Sequence, residues 1–244
     1  MLSNATRLLL GLALTTSLSA CGDQSRWARI GQSSADAIWA KPDRREDAIA
    51  LGEPLFARHC ASCNGQDLKG LPSAHTPDLT DDRWLFGGED IDTFVMRASD
   101  VERAILHGIR AKDPKTRDWP TMPARGVGHS LEPDEISAVT EYVLKLSGQP
   151  YDQKQIALGK ETFEGEGGCY DCHTAQGWGD TAIGAADLTR PRTWLYGRDR
   201  AALAETVALG RSTASPAFAA QLKPEEARVL AVYVLSKAKS LHYN

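Results

Sequence analysis

The chain has 244 residues, of which 42% are hydrophobic and 25% are charged, and its formal net charge is −4 at pH 7. This length is enough for one or two small domains. The composition excludes an intrinsically disordered chain, and the lack of a basic excess indicates no nucleic-acid partner.

The first twenty residues are predicted to be an export signal. Arg7 precedes an apolar run from Leu8 to Leu14, which is too short to span a bilayer in the mature protein. The tetrapeptide LSAC follows and ends at Cys21, and it resembles the lipid-attachment site of bacterial lipoproteins. An ordinary secretory signal with an incidental cysteine is the alternative. We therefore predict a signal peptide over residues 1–20, a lipid on Cys21 and a linker over residues 21–45, with the protein anchored on the periplasmic side of a bacterial cell envelope.

From residue 46 onward the chain repeats itself. The matching segments are LGEPLF and LGKETF, CASCN and CYDCH, PDLTDDRWLFG and ADLTRPRTWLYG, LHGIR and ALGR, MPA and SPA, and LEPDEISAVTEYVLKL and LKPEEARVLAVYVLSK. Turn residues at 147–153 separate the two copies. The repeat predicts two tandem domains, over residues 46–148 and 152–240.

Both copies show the apolar spacing of helices. In the last segment of the first copy, apolar side chains fall at i, i+3, i+7 and i+10 and form one helical face. These residues are Ile136, Val139, Val143 and Leu146. Ser99 and Glu102 have the spacing of a capping box and are predicted to open a helix that continues through Ile109. Alternation typical of strands is weak throughout, so we predict an all-α fold.

Beyond Cys21, four cysteines form two C-x-x-C pairs. The second pair, Cys169 and Cys172, is followed by His173 in the motif that attaches haem c, where two thioether bonds hold the macrocycle and the histidine binds the iron. A thioredoxin-like site would need a βαβ setting, and a zinc site would need more cysteine or histidine close by. The first pair, Cys60 and Cys63, is followed by asparagine. A haem at this pair and a disulfide between the two cysteines are both open.

The two copies together resemble the tandem cytochrome c domains of the dihaem subunit of cbb3-type cytochrome c oxidases, the CcoP/FixP family. The segments that carry the resemblance are CASC, PDLTDDRWLFGG, ILHGIR and MPARG in the first copy, and CYDCH, ADLTRPRTWLYG, ALGR and VLAVYVLS in the second. The resemblance covers about residues 46–240 and implies two cytochrome c-like helical domains. It also implies electron transfer with a redox protein or a respiratory complex similar to a cbb3-type oxidase. The family normally has a transmembrane helix where this chain has its lipoprotein-like signal.

The resemblance further implies that a motif histidine and the methionine of a later M-P motif bind each iron. The first copy has Met122 in MPA but Asn64 in place of the histidine, whereas the second has His173 but Ser215 in place of the methionine. Assigned copy by copy, Met122 is expected at the haem iron of the first domain, and the second haem is expected to lack methionine. The other candidate iron ligands are His59, His75, His107 and His129 for the first copy, and His242 and Lys223 for the second.

The leading hypothesis is an exported, lipid-anchored c-type cytochrome that transfers single electrons and is not itself an enzyme. One alternative is a haem-based sensor or gas-binding module, which would use an open iron position in the second copy. Another is a structural accessory subunit of a respiratory complex. A more distant hypothesis is copper handling by sulfur ligands together with His59. Candidate side chains around the haems are Arg83, Trp84, Arg192 and Trp194.

Overall fold

A computed structural model describes residues 22–85, 95–118, 120–126, 128 and 130–240. The predicted signal peptide, Cys21, His129 and His242 lie outside these described residues. None of the helices in these ranges has both the length and the apolar character needed to cross a membrane.

The described ranges consist of helices joined by loops, which confirms the predicted all-α fold. The α-helices are α1 (residues 22–30), α2 (Ala35–Ala40), α3 (Pro42–His59), α4 (Ala61–Asn64), α5 (Ala98–His107), α6 (Pro133–Leu146), α7 (Ile156–Glu164), α8 (Tyr170–His173), α9 (Arg200–Leu209) and α10 (Pro224–Lys237). Short 3-10 turns lie at Pro72–Ala74, Gln153–Gln155 and Pro191–Thr193.

The last helix of each copy forms where the apolar spacing predicts it. Both α6 and α10 begin with a proline, whose fixed φ suits the first turn of a helix and whose missing N–H costs no hydrogen bond there. Val139 and Val143 of the predicted stripe are buried, and Ile136 and Leu146 pack against the same core. The stripe is therefore the buried face of α6.

The start of α5 differs from the prediction, and the capping box of Ser99 and Glu102 is wrong. The amide preceding the helix is that of Arg97, and it donates to the carboxylate of Asp100 at 3.1 Å. Asp100 has a short, buried side chain that reaches this free N–H. The helix ends at His107 and not at Ile109, because the Ile109 amide bonds to the carbonyl of Ser215 at 3.0 Å.

The helices of the two copies are interleaved. Helix α3 of the first copy packs against α10 of the second, and α6 of the first packs against α7 of the second. Each crossing places a glycine at the contact: a Cβ on Gly52 would lie 2.5 Å from the Tyr233 Cβ, and one on Gly159 would lie 2.1 Å from the Ala138 carbonyl oxygen. The glycine of the repeated LG pair thus permits close helix packing between copies.

This exchange creates two hydrophobic cores, each built from both copies. The first core combines side chains of α1 to α5 with those of α10, and the aromatic rings of Phe56 and Tyr233 meet in it at 5.7 Å. The second combines α6, α7 and α9, where the rings of Tyr142 and Phe163 lie 5.3 Å apart. The break between the repeats in sequence therefore does not separate the two cores in space.

A buried ion pair also joins the copies. The Arg83 guanidinium donates to the Asp187 carboxylate, and the two side chains are only 12% and 8% exposed. Nearby, the more exposed Arg190 contacts Asp82 at 3.1 Å and lies 3.7 Å from Asp187. Burial lowers the pKa of Arg83, so the paired carboxylate is needed to offset the desolvation of the cation.

Replacing Arg83 with alanine is expected to lower the free energy of unfolding by about 2–4 kcal/mol, because the buried Asp187 carboxylate loses its main partner. Urea unfolding of the holo-protein measures the change. Arg190→Ala is the matched control, since Arg190 is 40% exposed and its loss should cost less than about 1 kcal/mol. Equal losses in the two variants would contradict a special role for the buried pair.

Candidate haem site

The second C-x-x-C-H motif is held as a single helical turn, α8. The amide of His173 donates to the Cys169 carbonyl at 2.9 Å, and the Cys169 amide donates to the Phe163 carbonyl at 3.1 Å. The His173 carbonyl in turn accepts from the Gly179 amide at 3.0 Å. These bonds fix both cysteines and the histidine relative to α7 and to the loop that follows.

The imidazole of His173 is oriented for binding a metal. Its Nδ1 atom lies 2.8 Å from the Ala186 carbonyl oxygen, and because a carbonyl can only accept, Nδ1 carries the hydrogen. Burial lowers the pKa of His173, and the bond to Ala186 offsets only part of that effect. The ring is therefore neutral at physiological pH, with the lone pair of Nε2 available as a ligand.

The motif opens into a cavity of about 230 Å³. Cys169, Cys172 and His173 line it together with Met122 from the first copy. The apolar walls include Val139, Val143, Phe163, Leu188, Trp194 and Leu203. Three cationic side chains also line it, namely Arg110, Arg125 and Arg211. The cavity thus combines two thiols, an imidazole, a thioether and positive charge inside largely apolar walls.

The structure places Met122 beside the second motif and not beside the first. Its amide donates to the Arg211 carbonyl and its carbonyl accepts from the Arg211 amide, both at 3.0 Å, so its loop is paired with the second copy. The Arg125 amide extends this pairing with a bond to the Val207 carbonyl at 3.0 Å. The side chain of Met122 packs against the second core. The assignment of ligands copy by copy therefore does not match the placement of this methionine.

Ser215 of the second copy is paired, conversely, with the first copy. It forms reciprocal backbone bonds with Ile109 of the first copy, at 2.9 and 3.0 Å. Three residues later, Phe218 packs against the first core, the same core that Cys60 contacts. The loop that carries serine in place of methionine is thus associated with the copy that carries asparagine in place of histidine.

The first motif repeats the backbone of the second without its imidazole. The Asn64 amide donates to the Cys60 carbonyl at 2.9 Å, as His173 does to Cys169, and the Asn64 carbonyl accepts from Gly70 at 2.9 Å. The side chain differs, because the Asn64 Nδ2 atom turns back to the Cys60 carbonyl at 3.1 Å. Asn64 therefore satisfies its own helical turn and does not present a ligand as His173 does.

The cysteines of both motifs are free thiols in the structure. Burial raises the pKa of Cys60 to about 11, with a further contribution from Cys63. Burial likewise raises the pKa of Cys169 to about 11. These two thiols are protonated at neutral pH, and Cys63 is the exposed member of the first pair.

The other candidate ligands are dispersed. The exposed ring of His75 stacks on Tyr196 at 4.5 Å, His107 lies 3.1 Å from Asp113, and Lys223 is exposed just before α10. His59 ends α3, and His129 and His242 lie outside the described residues. Among the residues that the structure describes, no group of three or more His, Cys, Asp or Glu side chains could hold a metal ion.

Of the four side chains predicted to surround the haems, Trp194 lines the cavity and the other three do not. Trp194 lines the cavity and donates from its indole to the Asp187 carbonyl at 3.0 Å, whereas Trp84 packs on the first core and donates to the Ser240 carbonyl at 3.1 Å. Arg83 is engaged with Asp187, and Arg192 is exposed. Sequence reasoning missed the three lining arginines, although two of them end the repeated stretches LHGIR and ALGR.

Comparison with known proteins identifies relatives of this chain. The sequence profile of the cytochrome c family matches residues 49–147. The chain is 38% identical over 215 residues to the Cbb3-type cytochrome c oxidase subunit CcoP of Azospirillum sp. (strain B510), covering 84% of this chain and 67% of that protein. It is 35% identical over 212 residues to subunit FixP of Bradyrhizobium sp. (strain ORS 278), covering 86% and 68%. For subunit CcoP of Cereibacter sphaeroides the identity is 36% over 198 residues, covering 81% and 64%.

Proposed function

We propose that this chain, a member of the CcoP/FixP family of cbb3-type cytochrome c oxidase subunits, carries one haem c. Cys169 and Cys172 attach this haem, and His173 and Met122 bind its iron. As a member of that family the protein is a c-type cytochrome that transfers electrons in a respiratory chain. The single haem and its ligand pair are the specific part of the proposal.

The observation that carries the proposal is the convergence of His173 and Met122 on one cavity with both thiols of the second motif. The donor set fits haem c, because imidazole and thioether are the iron ligands of cytochromes c and the thiols are the attachment points. When bound, haem c supplies an iron that exchanges one electron between its ferric and ferrous states. The residues present therefore suit the group that the family implies.

Each lining group has a defined task in this arrangement. The Ala186 carbonyl holds the His173 ring through Nδ1 and leaves Nε2 for the iron. The thioether of Met122 would favour the ferrous state of a bound haem and so raise its reduction potential. The apolar walls exclude water, and the lining arginines suit the two haem propionates through charge-assisted hydrogen bonds.

The first motif is proposed to be a haem-free structural copy. It has lost the motif histidine to Asn64, and the loop facing its core carries Ser215 where the methionine would stand. The first copy keeps two functions: it delivers Met122 to the second cavity, and it supplies α3 and α6 to the interleaved cores. Cys60 and Cys63 remain as an unused pair.

The same proposal includes the cellular setting. The LSAC sequence ending at Cys21 supports export and attachment by a lipid, with the haem domain on the periplasmic side of the membrane. A respiratory complex is the proposed partner, since the relatives are named as subunits of one. The presence of Met122 in the cavity favours electron transfer over gas binding, because its thioether would bind the haem iron in competition with a gas.

Intact mass spectrometry of the mature holo-protein tests the haem count, and we expect one covalent haem. The double variant Cys169→Ser/Cys172→Ser is expected to lose it, because both attachment points are gone. Cys60→Ser/Cys63→Ser is the matched control and should keep the same haem mass increment. Two covalent haems in the parent, or loss of haem in the control, would refute the single-haem assignment.

A further inference from the structure

Among the described residues, five large apolar side chains are exposed: Tyr151, Leu158, Tyr170, Trp178 and Leu209. All but Tyr151 belong to the second copy. Trp178 is 62% exposed and Tyr170 is 44% exposed; Tyr170 lies inside the haem motif and Trp178 lies five residues after His173. Neither lines the cavity, so a group bound there is not needed to explain them. An exposed tryptophan and tyrosine together are typical of a surface that binds another protein.

The first copy is an internal control for these two positions. The Leu79 amide donates to the Leu68 carbonyl at 2.7 Å, and the equivalent Leu188 amide donates to the Gly177 carbonyl at 2.6 Å. Trp178 therefore corresponds to Lys69, and Tyr170, inside its motif, corresponds to the buried Ala61. The aromatic pair is present at the copy with a complete ligand set and absent from the degenerate copy.

The loop that carries Trp178 is fixed against the motif. Gly177 and Gly179 on either side both have φ of +76°, a conformation that favours glycine. The Gly179 amide donates to the His173 carbonyl at 3.0 Å, and Asp180 and Ala185 exchange backbone bonds at 2.8 and 3.1 Å. The indole is thus held outward on a loop that is hydrogen-bonded directly to the proposed iron ligand.

The chain segment that carries both aromatic residues is acidic, and the nearby cation is Arg125: a Cβ on Gly168 would lie 3.2 Å from its guanidinium and 3.5 Å from the Asp171 carboxylate. Between residues 161 and 189 the chain contains no Lys or Arg. The exposed acidic residues in that stretch are Glu161, Glu164, Glu166, Asp171 and Asp180. Of these, Glu164 contacts Lys160 at 3.7 Å. A partner that buries the two aromatic rings would therefore meet a rim with more negative than positive charge, which favours a positively charged partner.

We infer that Tyr170, Trp178 and the acidic residues around them form the docking surface for a basic electron-carrier protein. The inference rests on the proposed function, because it makes the second motif the point where electrons enter or leave. Trp178 contributes desolvated contact area at the centre, and the carboxylates attract the partner and orient it. The bond from Gly179 to His173 gives the docked partner a short covalent and hydrogen-bonded connection to the iron ligand.

Stopped-flow electron exchange between the holo-protein and a small lysine-rich cytochrome c tests the surface. Trp178→Gln is expected to lower the second-order rate constant roughly tenfold, the scale of losing a tryptophan hot spot. Tyr151→Gln is the matched control, since Tyr151 is 40% exposed but lies outside the motif, and it should stay within twofold of the parent. The visible spectrum and reduction potential of both variants should equal those of the parent.

The salt dependence of the rate constant is a second, independent measurement of the surface. The parental rate constant should fall as salt increases, and Glu161→Gln/Glu166→Gln should flatten that dependence. An unchanged rate in Trp178→Gln, an equal loss in Tyr151→Gln, or a rate that rises with salt would overturn the docking surface. A changed spectrum or potential in Trp178→Gln would also overturn it, because Trp178 would then belong to the haem pocket. A parent without haem absorption would instead refute the proposed function, so the two failures are distinct.

Discussion

Replacing Met122 with leucine is expected to remove the weak far-red absorption of a ferric iron–thioether bond and to lower the reduction potential by an amount on the order of 0.1 V. The reason is that thioether ligation stabilises ferrous iron, and axial ligands set haem potentials across a range of about 0.8 V. Leucine keeps the apolar volume of the side chain, so the second core should remain packed. Redox titration and visible spectroscopy of the holo-protein measure both changes.

The chain offers a matched control for this substitution. Met96 is 2% exposed in the first core, and it and Met122 are the two methionines that follow the predicted signal peptide. Met96→Leu makes the same chemical change away from the cavity and should leave the potential and the far-red band in place. Persistence of the band in Met122→Leu would exclude Met122 as the iron ligand.

Local structure followed closely from the sequence because short-range chemistry determines it. The segments PDLT and ADLT predicted equivalent conformations, and both form the same turn: the Thr80 amide donates to the Asp78 carboxylate, and the Thr189 amide to that of Asp187, each at 2.8 Å. The two C-x-x-C turns match in the same way. Repeats and their motifs could therefore be aligned before any tertiary arrangement was known.

The exchange between copies could not be predicted from the same patterns. An apolar stripe on α6 determines which face is buried, but α3 and α7 both carry the same LG-x-x-x-F pattern and either could cover it. The structure pairs α6 with α7 and α10 with α3. The connection between α5 and α6 then carries Met122 to the second cavity. Assigning ligands by their order along the chain put Met122 at one haem and His173 at the other, whereas the structure places both at one cavity.

This arrangement changes what is needed to restore a second haem. Asn64→His alone should permit covalent attachment at Cys60 and Cys63, because it completes the C-x-x-C-H motif. The new haem should nevertheless lack a thioether, because Met122 lines the other cavity. We therefore expect a second haem by intact mass, a high-spin contribution to the spectrum, and no second far-red band.

Adding Ser215→Met to Asn64→His is expected to convert that second haem to a low-spin form and to raise its reduction potential, by the same thioether effect. The residue at 215 is the one to change because its loop pairs with Ile109 and leads into Phe218 on the first core. Asn64→His/Met122→Leu discriminates between the two arrangements: it should disturb the original haem and leave the new one unaltered. If Asn64→His alone gave two low-spin haems with thioether bands, or if Met122→Leu altered the new haem, the methionine would belong to its own copy and the exchange would be refuted.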